Sequence, residues 1–320
     1  MVLPLPTFSV GRSLTGVLNG VLDALGAERF QLEIEVSNRK IDRLYRMAKR
    51  DQWNLDDRRE SFFPDRGDVD VNDWLGISDA QRLAAAHCFS SVYYGEQGAK
   101  VISAQLTTMM PSNEATKFLA TQVMDEARHV EVFEGVLTFI DRVHPINPFL
   151  SALLTDIAAT RHREEKLIGM NLMVEGLALS AFKATLKGLR ELGISDRGWN
   201  AVGTPIEAIM RDESRHVGFG VVYLPELLEG ASLRRKAEIR MRQLMWLGLL
   251  YGSVKYHQRE QEELGVDHVA LLLDLLDDHE RRIEECGAAV LVSTDRMKRM
   301  IPALDRLVDR ALRRRPAPAA

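Results

Sequence analysis

A chain of 320 residues, 46% of them hydrophobic, is long enough to bury a sizeable interior. Its 42 Lys and Arg against 46 Asp and Glu give a formal net charge of -4, which excludes a general pull toward nucleic acid or an anionic bilayer. Two distant cysteines, Cys88 and Cys286, exclude a disulfide framework and a thiolate metal site; with no signal-peptide pattern and no uninterrupted apolar run of ~20 residues, a soluble, cytoplasmic protein is expected.

In chain order, Phe30, Ile34, Ile41, Leu44 and Met47 recur at helical intervals and predict one or two helices between Leu18 and Arg50. Asp51 to Asp73 is Asp-rich and broken by Pro64 and Gly67, a loop whose Trp53, Phe62 and Phe63 should pack over the helices. A long helix follows from near Asp79 to about Met110, and a second from Asn113 to Ile140, capped by Ser112 or Asn113. The prolines of HPINPF, from His144, force a turn before helix from about Leu150 to Arg190, with a break near Ala159. Another helix spans Pro205 to Leu228, ended or kinked early by Pro225. Leu233 to Gln261, His268 to Val292 and Asp295 to Arg314 are helical by periodicity, the last interrupted at Pro302, before a frayed RRRPAPAA tail. No stretch alternates long enough to require a sheet. The fold class is therefore all-α: one domain over 1–320, with a four-helix core at about 76–230, helices before it, and an extension at 231–314.

The chemistry lies in a repeated motif, Asp-Glu-x-Arg-His-Val, at Asp125–Val130 and again at Asp212–Val217. Residues three apart share a helix face, so Glu126 with His129, and Glu213 with His216, each point inward as a carboxylate–imidazole pair. Such oxygen and nitrogen donors suit iron or manganese. Two more carboxylates must come from the other long helices. Glu96 sits in FSSVYYGEQGAK, on a helix otherwise uncharged from His87 to Gln97, and Glu175 is surrounded by apolar residues in LIGMNLMVEGLALSAF. A buried carboxylate stays neutral unless it is paired or bound to metal. The metal set is thus Glu96, Glu126, His129, Glu175, Glu213 and His216, an arrangement already known for dimetal sites in helix bundles. Metal-bound imidazoles need an outer partner. Asp125 is expected to face His216 across the bundle and Asp212 to face His129, with Arg128 and Arg215 compensating the aspartates.

The order Glu96, DEARH at Asp125–His129, Glu175, DESRH at Asp212–His216 resembles the ferritin-like superfamily over roughly Trp53 to Gly220. Within it, the pattern is most similar to the oxygen-activating diiron branch: ribonucleotide reductase small subunits, R2-like ligand-binding oxidases and bacterial multicomponent monooxygenase hydroxylases. The resemblance implies a ferritin-like bundle with two iron ions, a mixed Mn/Fe pair staying open, and an oxygenase or oxidase acting on a small organic or acyl substrate by hydroxylation, desaturation or N-oxygenation. Its partners would be dioxygen, the substrate and an electron-donor protein. Two alternatives stand beside this reading: a radical or electron-transfer subunit, and an iron-storage or other metal-binding protein. Three departures matter. Phe133 occupies the place of the reductase's radical tyrosine, Gly98 and Met170 that of the oxidases' valine–tyrosine crosslink, and Ile209 that of an extra histidine in some N-oxygenases.

Phe89, Val92, Ala99, Leu119, Phe133, Ile168, Leu172, Leu179, Ile209 and Gly220 are expected to line an apolar chamber beside the metals. Tyr93 and Tyr94 read as packing residues or as a relay. His162, His257, His268 and His279 have polar sequence neighbours and read as solvated, as does the basic cluster Arg310, Arg313, Arg314 and Arg315. Apolar positions from Leu233 onward leave a homodimer open.

Overall fold

The computed structural model describes residues 38–54, 64, 67–288 and 291–313, and every regular element among them is helical. The helix expected before Asn38, the packing of Phe62 and Phe63, and the tail from Arg314 lie outside these residues.

Helix α1 (Arg39–Arg50) begins at Asn38, whose side chain accepts from the Lys40 and Ile41 amides. The short α2 (Val71–Leu75) stops at Gly76, where φ of 77° suits a residue without a Cβ. The long α3 (Asp79–Met109) opens with a reciprocal cap between Ser78 and Gln81. In α4 (Asn113–Ile140), the Ser112 hydroxyl accepts from the Ala115 amide, so Ser112 is the cap. After the proline turn, α5 (Pro148–Ala159) starts with proline in its first turn and Asn147 as its cap. The expected break follows at Thr160, and the chain re-enters helix as α6 (Arg163–Leu167), widens into a π-helical segment (Ile168–Val174) and continues as α7 (Glu175–Glu191).

The next core helix is reached earlier than expected, through one turn α8 (Asp196–Gly198) and a second π-helical segment (Trp199–Gly203), before α9 (Thr204–Leu227). Pro225 lies in its last turn without ending it early. Four elements then complete the described chain: α10 (Leu233–Tyr256), α11 (Gln258–Glu263), α12 (His268–Cys286) and α13 (Thr294–Arg313). The last runs through position 302, so the interruption expected there is absent.

Four long helices make the bundle: α3 packs along α4, and α6–α7 packs against α9. Helix α1 leans on α4 and α9, α11 lies against α3, and α12 covers α7 and α9. Arg163–Glu191 is long and apolar enough to cross a membrane by composition alone, but most of its apolar window is buried in the bundle. Its burial is matched by Trp246 of α10, fully enclosed, whose indole N–H donates to Asp156 at 2.8 Å.

His257 and His279 correct one expectation. Their sequence neighbours are polar, yet the helical period turns both inward, to 7% and 3% exposure. Burial, helped by His87 for one and Arg282 for the other, holds both imidazoles down at about 4, against 6.5 for a free histidine. Between pH 6.5 and 4 the unfolded chain therefore binds more protons than the folded one, and stability falls as pH falls, by about 3 kcal/mol per histidine over the window. His279→Gln should flatten the decline in urea midpoint between pH 7 and 5 relative to the parent chain; an unaltered slope would show that His279 is not buried neutral.

Candidate dimetal site

Each core helix brings one carboxylate to the bundle centre: Glu96 on α3, Glu126 on α4, Glu175 where the π-helical segment returns to α7, and Glu213 on α9. All four are nearly or fully buried, and His129 and His216 have no exposure at all. The ligand atoms form two groups, Glu96, Glu126, His129 and Glu213, and Glu126, Glu175 and His216, with the atoms of each group within 4.8 Å of one another. His129 Nδ1 lies 3.3 Å from Glu96 Oε2, 3.3 Å from Glu126 Oε2 and 3.1 Å from Glu213 Oε1. His216 Nδ1 lies 3.2 Å from Glu126 Oε1 and 3.8 Å from Glu213 Oε1. Glu126 thus turns one oxygen toward each imidazole.

The outer nitrogens face the opposite motif. His216 Nε2 is 3.1 Å from Asp125 Oδ2, and His129 Nε2 is 3.3 Å from Asp212 Oδ2. An aspartate that accepts from Nε2–H leaves Nδ1 with its lone pair directed at the carboxylates, the tautomer a metal ligand needs. Arg128 pairs with Asp125 and Arg215 with Asp212, and each guanidinium also reaches the other aspartate at 3.5 Å.

Electrostatics make the centre unstable as an empty pocket. Burial, with neighbouring carboxylates adding to it, pushes Glu96 and Glu175 well above the usual carboxylate range. Burial pushes Glu126 the same way, but the imidazoles of His129 and His216 beside its two oxygens hold it below that range. Both histidines are driven above their ordinary value by the carboxylates around them, in spite of burial. Asp212 is held down at about 2 by His129, Arg215 and Trp53, again against burial. Both oxygens of Glu126 and of Glu213, Glu175 Oε2 and His216 Nδ1 have no hydrogen-bond partner. Unmet buried acceptors facing one another are costly. Two divalent cations would satisfy these lone pairs, so the residues present fit a dimetal centre. Carboxylate and imidazole donors without thiolate match iron or manganese.

Several contacts at the site carry no signal in the motif. Trp53 donates its indole N–H to Asp212 Oδ2 at 2.8 Å and its ring lies under Arg128, with the guanidinium carbon 5.1 Å from the ring centroid. Gln122, one turn before Glu126, donates to Glu175 Oε1 at 2.6 Å. Asn171 in the π-helical segment donates to Gln122 Oε1 and to the His216 carbonyl. Arg282 of α12 donates to the Leu172 and Gly176 carbonyls beside Glu175. By contrast Tyr93 donates to Glu134 and accepts from Gln97 on the outer side of α3, which makes it a packing residue.

A cavity of about 160 Å3 opens from Glu96, Glu175 and Glu213. Phe89, Val92 and Ala99 line it. The other expected wall residues do not. Phe133 and Ile209 pack in the apolar cluster at one end of the bundle, Leu119, Ile168 and Leu172 in the cluster at the other, and Leu179 is buried away from the opening. Gly220 instead lets α9 approach Leu172 closely. The missing walls come from α7 and from α10 to α12, through Ala178, Ala181, Ser253, His257, Gln261 and Leu271.

Asp212→Asn conserves shape but removes the negative charge and one of the two acceptor oxygens that His129, Trp53 and Arg215 share. Outer-shell changes of this kind cost about 10- to 100-fold in metal affinity or activity. Titration against a chromophoric chelator should show that loss, and unchanged affinity together with unchanged oxidation rate would mean that the contact orients nothing.

No family model matches this sequence, and no curated protein matches it either. Solved structures do. A protein described as having aldehyde deformylating oxidase activity, from Synechococcus, superposes with a TM-score of 0.54 at 21% identity, over 69% of this chain and 95% of its own. A variant of an R2-like ligand-binding oxidase with an anaerobically reconstituted Mn/Fe cofactor gives 0.62 at 19% identity, over 79% and 94%. Another variant of an R2-like ligand-binding oxidase, with an aerobically reconstituted Fe/Fe cofactor, gives 0.58 at 18%, over the same shares. At such identities the likeness speaks for the fold alone: this chain shares an all-helical bundle fold with these structures.

Proposed function

We propose that this chain is an oxidoreductase that activates dioxygen at two metal ions, iron in the first instance, and oxidises a small organic or acyl substrate held in the cavity beside them. The observation that carries this reading is the set of unpartnered carboxylate and imidazole atoms that meet at one end of an apolar cavity. Glu96, Glu126, His129 and Glu213 would hold one ion, and Glu126, Glu175 and His216 the other, with Glu126 reaching both. Bound iron would supply the redox electrons and the coordination position that dioxygen needs. The protein's own part is positional. Asp125 and Asp212 hold the imidazoles in the ligating tautomer, Gln122 steadies Glu175, and Phe89, Val92 and Ala99 keep water from the substrate chamber. Glu96, Glu175 and Glu213 belong to both the ligand groups and the cavity lining, so a substrate in the cavity abuts the metal centre directly.

Turnover would draw electrons from a reductase or ferredoxin-like donor. A second reading, an electron-transfer or radical subunit, is favoured by the hydrogen-bonded line from the half-buried Trp53 through Asp212 to His129. Phe133, in the place of a radical tyrosine, weighs against it. One experiment separates the readings. The metal-free chain is loaded anaerobically with Fe(II), metal is counted, dioxygen is added, and oxidised products are sought in a metabolite pool. Two metals per chain and substrate-dependent oxidation support the first reading. A long-lived oxidised centre that ignores every small molecule supports the second, and fewer than two metals removes both.

A further inference from the structure

The cavity has a second, polar end that the metal chemistry does not use. Ser91 precedes Glu96 by five residues on α3, about 7.5 Å along the helix axis. There it meets His257, whose Nε2 is 2.7 Å from Ser91 Oγ. Gln261 follows His257 by one helical turn, on the same face. Both line the cavity, and each carries a buried polar atom with nothing to bond: His257 Nδ1 and Gln261 Oε1. His257 is 7% exposed. The one carboxylate near it, Glu260 Oε2, stands 3.9 Å from Nδ1, beyond hydrogen-bonding reach. Two unmet polar atoms side by side on a cavity wall are expensive to keep, and a ligand that satisfies them repays that cost on binding.

From this geometry we infer that the cavity takes an aliphatic chain ended by an uncharged hydrogen-bonding group, a hydroxyl or primary amide, which His257 Nδ1 and Gln261 Oε1 recognise at the end away from the metals. It rests on the reading of this cavity as the substrate chamber. Between the two ends the walls are apolar, including Val92, Leu177, Ala178 and Ala181. An anionic end group is disfavoured, because the described lining contains neither Lys nor Arg and already holds Glu96, Glu175 and Glu213. A cationic one is disfavoured as well, because the lining at this end supplies no counter-charge: it carries no carboxylate, and burial holds His257 neutral, down at about 4, and the Cys88 thiol protonated, up at about 12. A hydroxyl both donates and accepts, so it complements this pair in either imidazole tautomer and either orientation of the amide.

The test uses two isomers, octan-1-ol and heptyl methyl ether, titrated calorimetrically into the Fe(II)-loaded chain without oxygen, with metal counted on the same samples. The alcohol can donate and the ether cannot. The parent chain should bind the alcohol about tenfold more tightly, the worth of one or two hydrogen bonds to buried groups, and Gln261→Leu should bring the two within about twofold. His257→Phe should do the same, with far-UV circular dichroism confirming that it folds; Gln261→Leu, half-buried at one turn of a short helix, is the safer variant. Equal binding in the parent, or a preference that survives both substitutions, overturns the inference. A metal count below two with the preference intact sinks the oxygenase reading and leaves this subsite standing.

Discussion

Glu126→Ala is expected to lower iron binding from two ions per chain to fewer than one, and to abolish dioxygen consumption. No other carboxylate at the centre comes so close to both imidazoles, with one oxygen 3.3 Å from His129 Nδ1 and the other 3.2 Å from His216 Nδ1. It belongs to both ligand groups, is fully buried, and spends neither oxygen on a hydrogen bond. Removing it takes a donor from each ion and the charge between them. The loss should exceed the roughly 10- to 100-fold that an outer-shell change costs. Glu134→Ala, two turns further along the same helix but outside the ligand groups, should bind both ions as the parent does. Metal analysis after desalting decides the matter. Two ions retained by the Glu126 variant would place the centre elsewhere.

Metal loading should also add several kcal/mol to the stability of this chain. The bundle centre buries four glutamates and two aspartates, with several of their acceptor atoms unmet. Any ion that binds the folded chain and not the unfolded one stabilises it in proportion to the logarithm of its concentration, about 4 kcal/mol per site at a thousand times Kd. Anaerobic denaturation with and without Fe(II) should therefore separate the two forms by several kcal/mol, and the separation should vanish in Glu126→Ala. Because the ligands must shed protons to bind, the gain should shrink as pH falls below neutrality. Coincident unfolding curves at neutral pH would mean that folding and metal binding are uncoupled here.

The long helices were legible because period and punctuation agreed: Ser112 marks the start of α4, and the prolines of HPINPF mark the turn before α5. The metal cluster was legible for a different reason. Glu and His three apart occur twice in nearly the same words, and Glu175 is a charge with no local reason to sit among apolar residues. The π-helical segment before Glu175 was not legible, since a widened turn leaves a mostly apolar run, with Asn171 its one polar residue, looking the same. Nor were Trp53, Gln122 and Arg282, whose partners are 159, 53 and 106 or more residues away in sequence. The chamber was half legible. Its α3 wall shares a face with Glu96, but its opposite wall belongs to α10, α11 and α12, and sequence neighbours misdescribe buried residues such as His257.

The crossed pairing of Asp125 with His216 and Asp212 with His129 means that neither motif is a self-sufficient half. A chain in which α4 has docked but α9 has not lacks the partner for either ring, and so lacks a lone pair held in any one direction. Iron uptake during refolding should therefore wait on the closing of the two halves on each other, and a fragment ending before α9 should bind iron far more weakly however well its own helices formed.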